Sequence, residues 1–313
     1  HMGRVDIIGA ESSHLLQTIL TSDISDLDVG RAKYSLICND LGGIIDDTIV
    51  YRTTLDSYRL VPNASNTKEV LDWLINWRTF LEIDVQINSI TDETSMIAIQ
   101  GPKSIDSLQP ICNVELSSFG KFRIVESEVA GVRSYISSTG YTGEIGFELM
   151  LPSKNAGYIW SKLVDQGAYP CGLGARDVLR IEAGLLLHGT DINASTTPIE
   201  AGLDRFVSWN KGNFHGHEAL LKQKQTGVAK SLVAFRLLGK GIPRNGYPII
   251  IDDRALGNVT SGTYSPTLDT GLGLGYVAEE RMTNGSKIFI DIRGKLTSAE
   301  VTRLPFYSRN KSL

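Results

Sequence analysis

Apolar positions follow two rhythms along the chain, and the rhythm changes near Ser231. Before it, period-two runs alternate with stretches of helical period, and after it helical periodicity disappears. Residues 4–9 read as a strand, and His14, Leu15, Leu16, Ile19 and Leu20 as a helix with Ser12 or Ser13 as its cap. Residues 33–38 and 44–51 are β-rich and flank Asn39-Asp40-Leu41-Gly42-Gly43, a turn whose glycines can take positive φ; this is the pattern of a β-hairpin. A further strand at 58–61 ends at Pro62, which cannot donate to a ladder. Asn66 and Glu69 have the spacing of a capping box ahead of a helix that puts Val70, Trp73, Leu74 and Trp77 on one face. Ile83, Val85 and Ile87 return as a strand, so the order is β-α-β-β-β-α-β.

The next stretch nearly repeats that order. A strand at 96–99 precedes a helix at 103–111, a hairpin of 122–129 and 132–136 turns at Ala130-Gly131, and a strand at 147–151 precedes a helix at 155–166 stopped by Gly167. Two such units in succession predict a pair of ferredoxin-like lobes, each an antiparallel sheet with helices on one face. Residues 173–187 read as one helix, 189–214 as a loop-rich connector and 217–224 as a short helix. Beyond Ser231 short apolar runs alternate with Gly, Pro and Asn turns, which predicts a small all-β domain. The expected fold class is therefore α+β. Its first lobe covers 1–92, its second lobe with the following helix 93–190, the connector 191–229 and the β-barrel-like domain 230–313.

With 313 residues the chain is long enough for two or three such cores. Hydrophobic content of 42% and charged content of 21% fit a soluble globular enzyme. The net charge of −4, with Lys and Arg scattered, speaks against a nucleic-acid surface or a polybasic membrane patch. No run reaches the length of a membrane-spanning helix. Cys38, Cys112 and Cys171 are odd in number and far apart, with no C-x-x-C, which points to a reducing compartment and away from a disulfide scaffold or a zinc site. No signal peptide is legible, and His1-Met2 reads either as a tag remnant or as native sequence.

Three stretches could carry chemistry. The apolar run Ile44, Ile45, Ile49, Val50 is interrupted by adjacent carboxylates, Asp46 and Asp47, which alternation sends to opposite faces of the strand. A carboxylate facing apolar neighbours is costly and more easily tolerated at a site than in a plain core. An edge strand with two solvated acids, or an acid paired with a buried arginine, remains the plainer reading of the hairpin alone. Between Thr139 and Glu148, glycines at 140, 143 and 146 permit close backbone approach to a ligand, and Glu148 repeats the anomaly of an acid inside an apolar strand. Gly172-Leu-Gly-Ala-Arg176 opens a helix, where anions are attracted and an arginine fork can pair a carboxylate; a structural ion pair of Arg176 with a nearby acid is the alternative. Other signals carry less. The glycines of 271–275 have no helix after them, His215-Gly216-His217 lacks a third ligand and reads as surface histidines, and no Ser or Cys sits on a nucleophile elbow.

Five motifs, in order, carry a resemblance. They are Gly42-Gly43-Ile-Ile-Asp46-Asp47, Gln100-Gly101-Pro102, Gly140-Tyr-Thr-Gly-Glu-x-Gly-Phe-Glu148, Gly172-Leu-Gly-Ala-Arg176-Asp177-x-Leu-Arg180-x-Glu182-Ala-Gly and Thr260-Ser-Gly-x-x-Ser-Pro-Thr267. From His1 to about Tyr307 the chain resembles the aminomethyltransferases, the T-proteins of the glycine cleavage system. The resemblance implies a clover-leaf of three domains around a folate site, with tetrahydrofolate as cosubstrate, lipoylated H-protein as a transient partner, no metal, no nucleic acid and no membrane. It implies Asp47 as the catalytic aspartate and Glu148 and Arg176 as folate-site residues, with Tyr51, Asn63 and Tyr141 lining the same pocket. It further implies a monomer in the cytoplasm, or in a mitochondrial matrix, and a family segment ahead of His1-Met2-Gly3 that would make this chain truncated. His188 stands where many T-proteins have tyrosine, and Pro62 replaces an apolar residue beside Asn63. Relatives on the same scaffold act as tetrahydrofolate-dependent demethylases of amines or sulfonium compounds, or bind folate without catalysis.

Overall fold

The computed structural model describes residues 2–278 and 282–309, so His1, on which the tag question turns, lies outside it. Two compact units are present. The first comprises His1–Gly140, Glu144–Pro170 and Phe206–His217.

In that unit β1 (Val5–Ile8), α1 (Ser12–Ile19), β2 (Ala32–Cys38), β3 (Ile44–Thr54), β4 (Ser57–Val61), α2 (Thr67–Phe80) and β5 (Gln86–Ser89) come one after another. The strands pair antiparallel in the order β2-β3-β4-β1-β5. Without the edge strand β2 this is the ferredoxin-like order. The helices cover one face because Leu15, Leu16 and Ile19 of α1 and Val70 and Leu74 of α2 are buried against Val5, Ile7, Tyr58 and Leu60. Each such side chain contributes about 1.5–3 kcal/mol.

Both expected helix caps differ. Glu11 is the N-cap of α1 and makes no side-chain cap bond, while Ser12 lies inside the helix, because the chain turns at Gly9 (φ 141°) and the Ser12 N–H closes on the Gly9 carbonyl at 3.0 Å. Asn66 does cap α2, but without a side-chain cap bond; its amide donates instead to Ile45 O at 3.1 Å and Asp46 Oδ1 at 3.0 Å. A buried carboxylate needs that donor more than a solvated helix end does.

The second sheet uses β6 (Thr94–Gln100), α3 (Ser104–Leu108), β7 (Ile124–Val129), β8 (Val132–Ser137), β9 (Gly146–Pro152) and α4 (Ala156–Asp165), in the order β6-β9-β8-β7. It repeats the first sheet minus its last strand, since α4 is succeeded by another helix. The faces turned away from the helices share a layer in which Ala32, Tyr51 and Val61 of the first sheet pack with Ile124 and Met150 of the second. By alternation Asp47, Ile49 and Tyr51 point to that layer and Asp46, Thr48 and Val50 to the helical side. Arg31 bridges Arg123, and Ala32 N donates to Phe122 O at 2.8 Å, tying the sheets at one edge.

The segment Phe206–His217 returns to this unit. Lys211 Nζ donates to Gln17 O at 2.8 Å, Leu20 O at 2.5 Å and Ser22 O at 3.1 Å, satisfying carbonyls at the end of α1; burial pushes its ammonium down to about 8. The two histidines are not surface residues. His217 is buried beside Phe214, and His215 sits edge-on to Trp73 and Trp77 with Nε2 at 2.8 Å from Asp40 Oδ1. Burial holds His215 below its ordinary value, against the pull of Asp40.

The second unit comprises Tyr141–Gly143, Cys171–Arg205 and Glu218–Leu313. After α5 (Leu173–Glu182) and α6 (His217–Thr226) it forms a closed barrel from β10 (Ser231–Leu237), β11 (Pro248–Ile251), β12 (Arg254–Ser265), β13 (Thr270–Val277), β14 (Lys287–Ile292) and β15 (Lys295–Thr302). The ladder runs β10-β13-β12-β11-β14-β15 and back. The helix expected to reach Leu187 stops at Glu182. Gly184 takes φ 70° and donates to Ile181 O, and Leu185 donates to Arg180 O, both at 2.8 Å, which is a Schellman end. The glycines of 271–275 serve packing: a Cβ on Gly273 would lie 2.3 Å from the Phe235 ring.

Candidate functional site

In the first unit the paired acids are separated by the pleat and joined by one side chain. Asp46 is fully buried and accepts from Asn63 N at 2.9 Å, Asn63 Nδ2 at 2.8 Å and Asn66 Nδ2 at 3.0 Å. The same Asn63 amide donates to Asp47 Oδ1 at 2.7 Å, and Tyr34 donates to Asp47 Oδ2 at 3.0 Å. Burial, and then the neighbouring charge of Asp47, pushes Asp46 up to about 6 despite its hydrogen bonds from Asn63 and Asn66. Asp47 is half-buried, on the face shared by the two sheets. Tyr34 is itself set by Phe206, whose ring lies edge-on at 4.5 Å.

Tyr51 lies about 13 Å farther along β3 on the same face. It is fully buried, and its hydroxyl is 2.9 Å from Thr139 Oγ1 and 3.3 Å from Ser137 Oγ. Thr139 Oγ1 donates a short hydrogen bond to Glu148 Oε2. Glu148, half-buried on β9, faces Ser137 across the ladder on one side and Ala98 on the other. The close approach that the glycines permit is that of a side chain: Gln100 Nε2 donates to Thr139 O and Phe147 O at 3.2 Å each, and Cβ atoms on Gly140 or Gly146 would collide with it. Asp47, Asn63, Tyr51 and Glu148 thus belong to one unit.

Tyr141 and Arg176 belong to the other. Arg176 stacks over the Tyr141 ring at 4.7 Å from its centroid, and the Tyr141 hydroxyl donates to Leu186 O at 2.5 Å. Among the described residues the Arg176 guanidinium makes no ion pair. The structural ion pair of α5 falls to Arg180, buried and bound to Asp177 at 2.8 Å, Asp191 at 2.7 Å and Ser261 at 2.8 Å. Gly143 (φ 72°) faces Ala183, whose Cβ would be 2.7 Å from an added methyl.

Two family models match the chain, the GCVT N-terminal domain over residues 1–211 and the glycine cleavage T-protein C-terminal barrel domain over 230–308. The aminomethyltransferase of Listeria monocytogenes serotype 4a (strain HCC23) is 41% identical over 313 residues, covering 99% of this chain and 86% of that protein. That of Caldanaerobacter subterraneus subsp. tengcongensis is 40% identical over 315 residues, covering 99% and 84%. The crystal structure of glycine cleavage system aminomethyltransferase T from Bartonella henselae superposes with a TM-score of 0.92 at 31% identity, covering 99% of this chain and 85% of that one. The chain belongs to the glycine cleavage T-protein family.

Membership of the T-protein family makes the chain an enzyme of the aminomethyltransferase class, in a family that works with tetrahydrofolate and H-protein. Among the described residues no group of three His, Cys, Asp or Glu could hold a metal ion, and no helix is long and apolar enough to cross a membrane.

Sequence reasoning missed Tyr34, Ser137, Thr139 and Asn66 in this T-protein. Hairpin pairing carried a signal for Tyr34, since Leu36 opposes Asp47 and Tyr34 is its diagonal neighbour. The irregularity between Ile37 and Cys38 hides that register from simple counting outward from the turn.

Proposed function

We propose that the chain transfers the one-carbon unit from the aminomethyl-lipoyl arm of H-protein to tetrahydrofolate and releases ammonia. The observation that carries this reading is one unit holding two half-buried carboxylates, Asp47, which accepts from Tyr34 and Asn63, and Glu148, which accepts from Thr139. Bound there, tetrahydrofolate supplies N5 as the nucleophile, so the reaction needs none from the protein. Glu148 accepts the adjacent N–H and amino group of the pterin, a pairing for which one carboxylate has the right two oxygens. Asp47, its two oxygens held by Tyr34 and Asn63, orients the N10 side and handles the proton as ammonia leaves. In its own unit Arg176, stacked on Tyr141, offers a guanidinium suited to an anionic group. Tyr51 serves from behind, through Thr139. A cytoplasmic location accords with the bacterial relatives.

The test is ammonia release from aminomethylated H-protein with and without tetrahydrofolate, run beside a panel of methylated amines and sulfonium compounds. Tetrahydrofolate-dependent release from H-protein alone is expected. Turnover of a methyl donor with no release from H-protein would replace this reading by a demethylase.

A further inference from the structure

We infer that Thr139 is the positioning residue that presents Glu148 to its ligand, with Tyr51 and Ser137 behind it and Gln100 fixing its backbone. The inference rests on the function proposed above, in which Glu148 takes the pterin. Proton accounting supplies the direction. A carboxylate only accepts, so the single Thr139 hydroxyl proton is committed to Glu148 Oε2. Thr139 Oγ1 then accepts from the Tyr51 hydroxyl at 2.9 Å, and the Ser137 hydroxyl, 2.7 Å from Thr139 Oγ1, donates to the Tyr51 oxygen at 3.3 Å. Three hydroxyl dipoles therefore run toward one carboxylate, and in series each strengthens the next.

The array is built into the fold. Tyr51 and Ser137 are 0% exposed and Thr139 7%, so no bulk water competes for these protons. Burial, and then the charge of Glu148, pushes the Tyr51 phenol well above its ordinary value, which keeps its proton available to donate. Ser137 stands opposite Glu148 in the ladder, while Tyr51 comes from the other sheet of the same unit. Gln100 holds the Thr139 carbonyl and the Phe147 carbonyl together at 3.2 Å each. It reaches them only because residues 140 and 146 lack side chains: a Cβ on Gly140 would lie 2.0 Å from Gln100 Oε1, and one on Gly146 2.6 Å from its Cδ. Two glycines and a glutamine thus hold one hydroxyl beside one carboxylate.

The experiment measures anaerobic tetrahydrofolate binding and ammonia release at saturation for wild type, Thr139→Val, Thr139→Ser, Tyr51→Phe and Glu148→Ala. Loss of a hydrogen bond to a charged group weakens binding roughly tenfold to a hundredfold, so T139V raises Kd by that factor while kcat stays within about threefold. T139S returns Kd to within about threefold of wild type, and Y51F falls between. A purely structural role would lower melting temperature without this split between Kd and kcat. Wild-type affinity in T139V together with lost affinity in E148A overturns the inference and leaves the folate reading standing. Wild-type affinity in E148A overturns the folate reading beneath it. Should T139V fail to fold, Y51F decides, and an unchanged Kd there overturns the inference.

Discussion

Removing the Asn63 amide should destabilise the first unit in a pH-dependent way. Asn63→Ala deletes the donor shared by Asp46 Oδ1 at 2.8 Å and Asp47 Oδ1 at 2.7 Å while keeping the backbone N–H on Asp46 Oδ2 at 2.9 Å. Each lost bond to a carboxylate costs about 1.5–3 kcal/mol, and water can replace the one on half-buried Asp47, so the loss at pH 8 is about 2–4 kcal/mol. The sign of the pH dependence comes from Asp46. Its folded value of about 6 lies above its ordinary 3.8, so between those limits the folded state binds more protons than the unfolded one. The contribution is fully present below about pH 4 and is lost as pH rises through about 6, a span worth about 3 kcal/mol. At pH 4.5 Asp46 carries a proton and needs fewer donors, so N63A should cost about half as much there. Urea denaturation at pH 4.5 and 8, read as the midpoint of the transition with its slope unchanged, checks this. Equal losses at both pH values, or a pH slope that survives in Asp46→Asn, would refute the reasoning.

Three further outcomes follow from the proposed site roles and from the packing. Glu148→Ala should abolish measurable tetrahydrofolate binding in a titration while changing the melting temperature little, since the residue is half-buried and its partner Thr139 can turn to Ser137. Arg176→Gln removes a stacked cation that makes no ion pair among the described residues, so stability should change by under about 1 kcal/mol in a urea titration while affinity for the folate falls tenfold or more. Gly273→Ala should destabilise the barrel by about 1–3 kcal/mol by calorimetry, because the added Cβ would lie 2.3 Å from the Phe235 ring.

The acids were legible because a strand makes a charged residue conspicuous: period-two alternation isolates Asp46, Asp47 and Glu148 from apolar neighbours, and the fold puts Asp46 on one face and Asp47 on the other. Apart from Asn63, which the family resemblance places at the pocket, the groups that hold those acids were not legible, and neither were the bonds that Asn63 makes to them. Asn63, Asn66 and Thr139 are short polar residues of the kind that cap helices and turns everywhere, and their side-chain partners on the acids are set by tertiary approach rather than by spacing. The glycines of 140–146 are a similar case, since a sequence shows that room exists and not which group fills it; here Gln100 does. Local rules also misjudged the end of α5, where Leu185-Leu186-Leu187 continues the apolar pattern past the Gly184 terminator. The first lobe's strand order was within reach of element counting. The missing last strand of the second sheet was not, because the pattern of α4 carries no signal for whether a strand or another helix comes next.

The most direct test of the central claim is single-turnover ammonia release from aminomethylated H-protein at saturating tetrahydrofolate, with Asp47→Ala beside wild type. The proposed role of Asp47 predicts tetrahydrofolate-dependent release in wild type and a rate lower by roughly 10² or more in D47A, the scale of a lost proton-handling group, with folate affinity within about tenfold. A D47A rate equal to wild type would contradict the assignment, as would a loss of rate matched by an equal loss of folate binding.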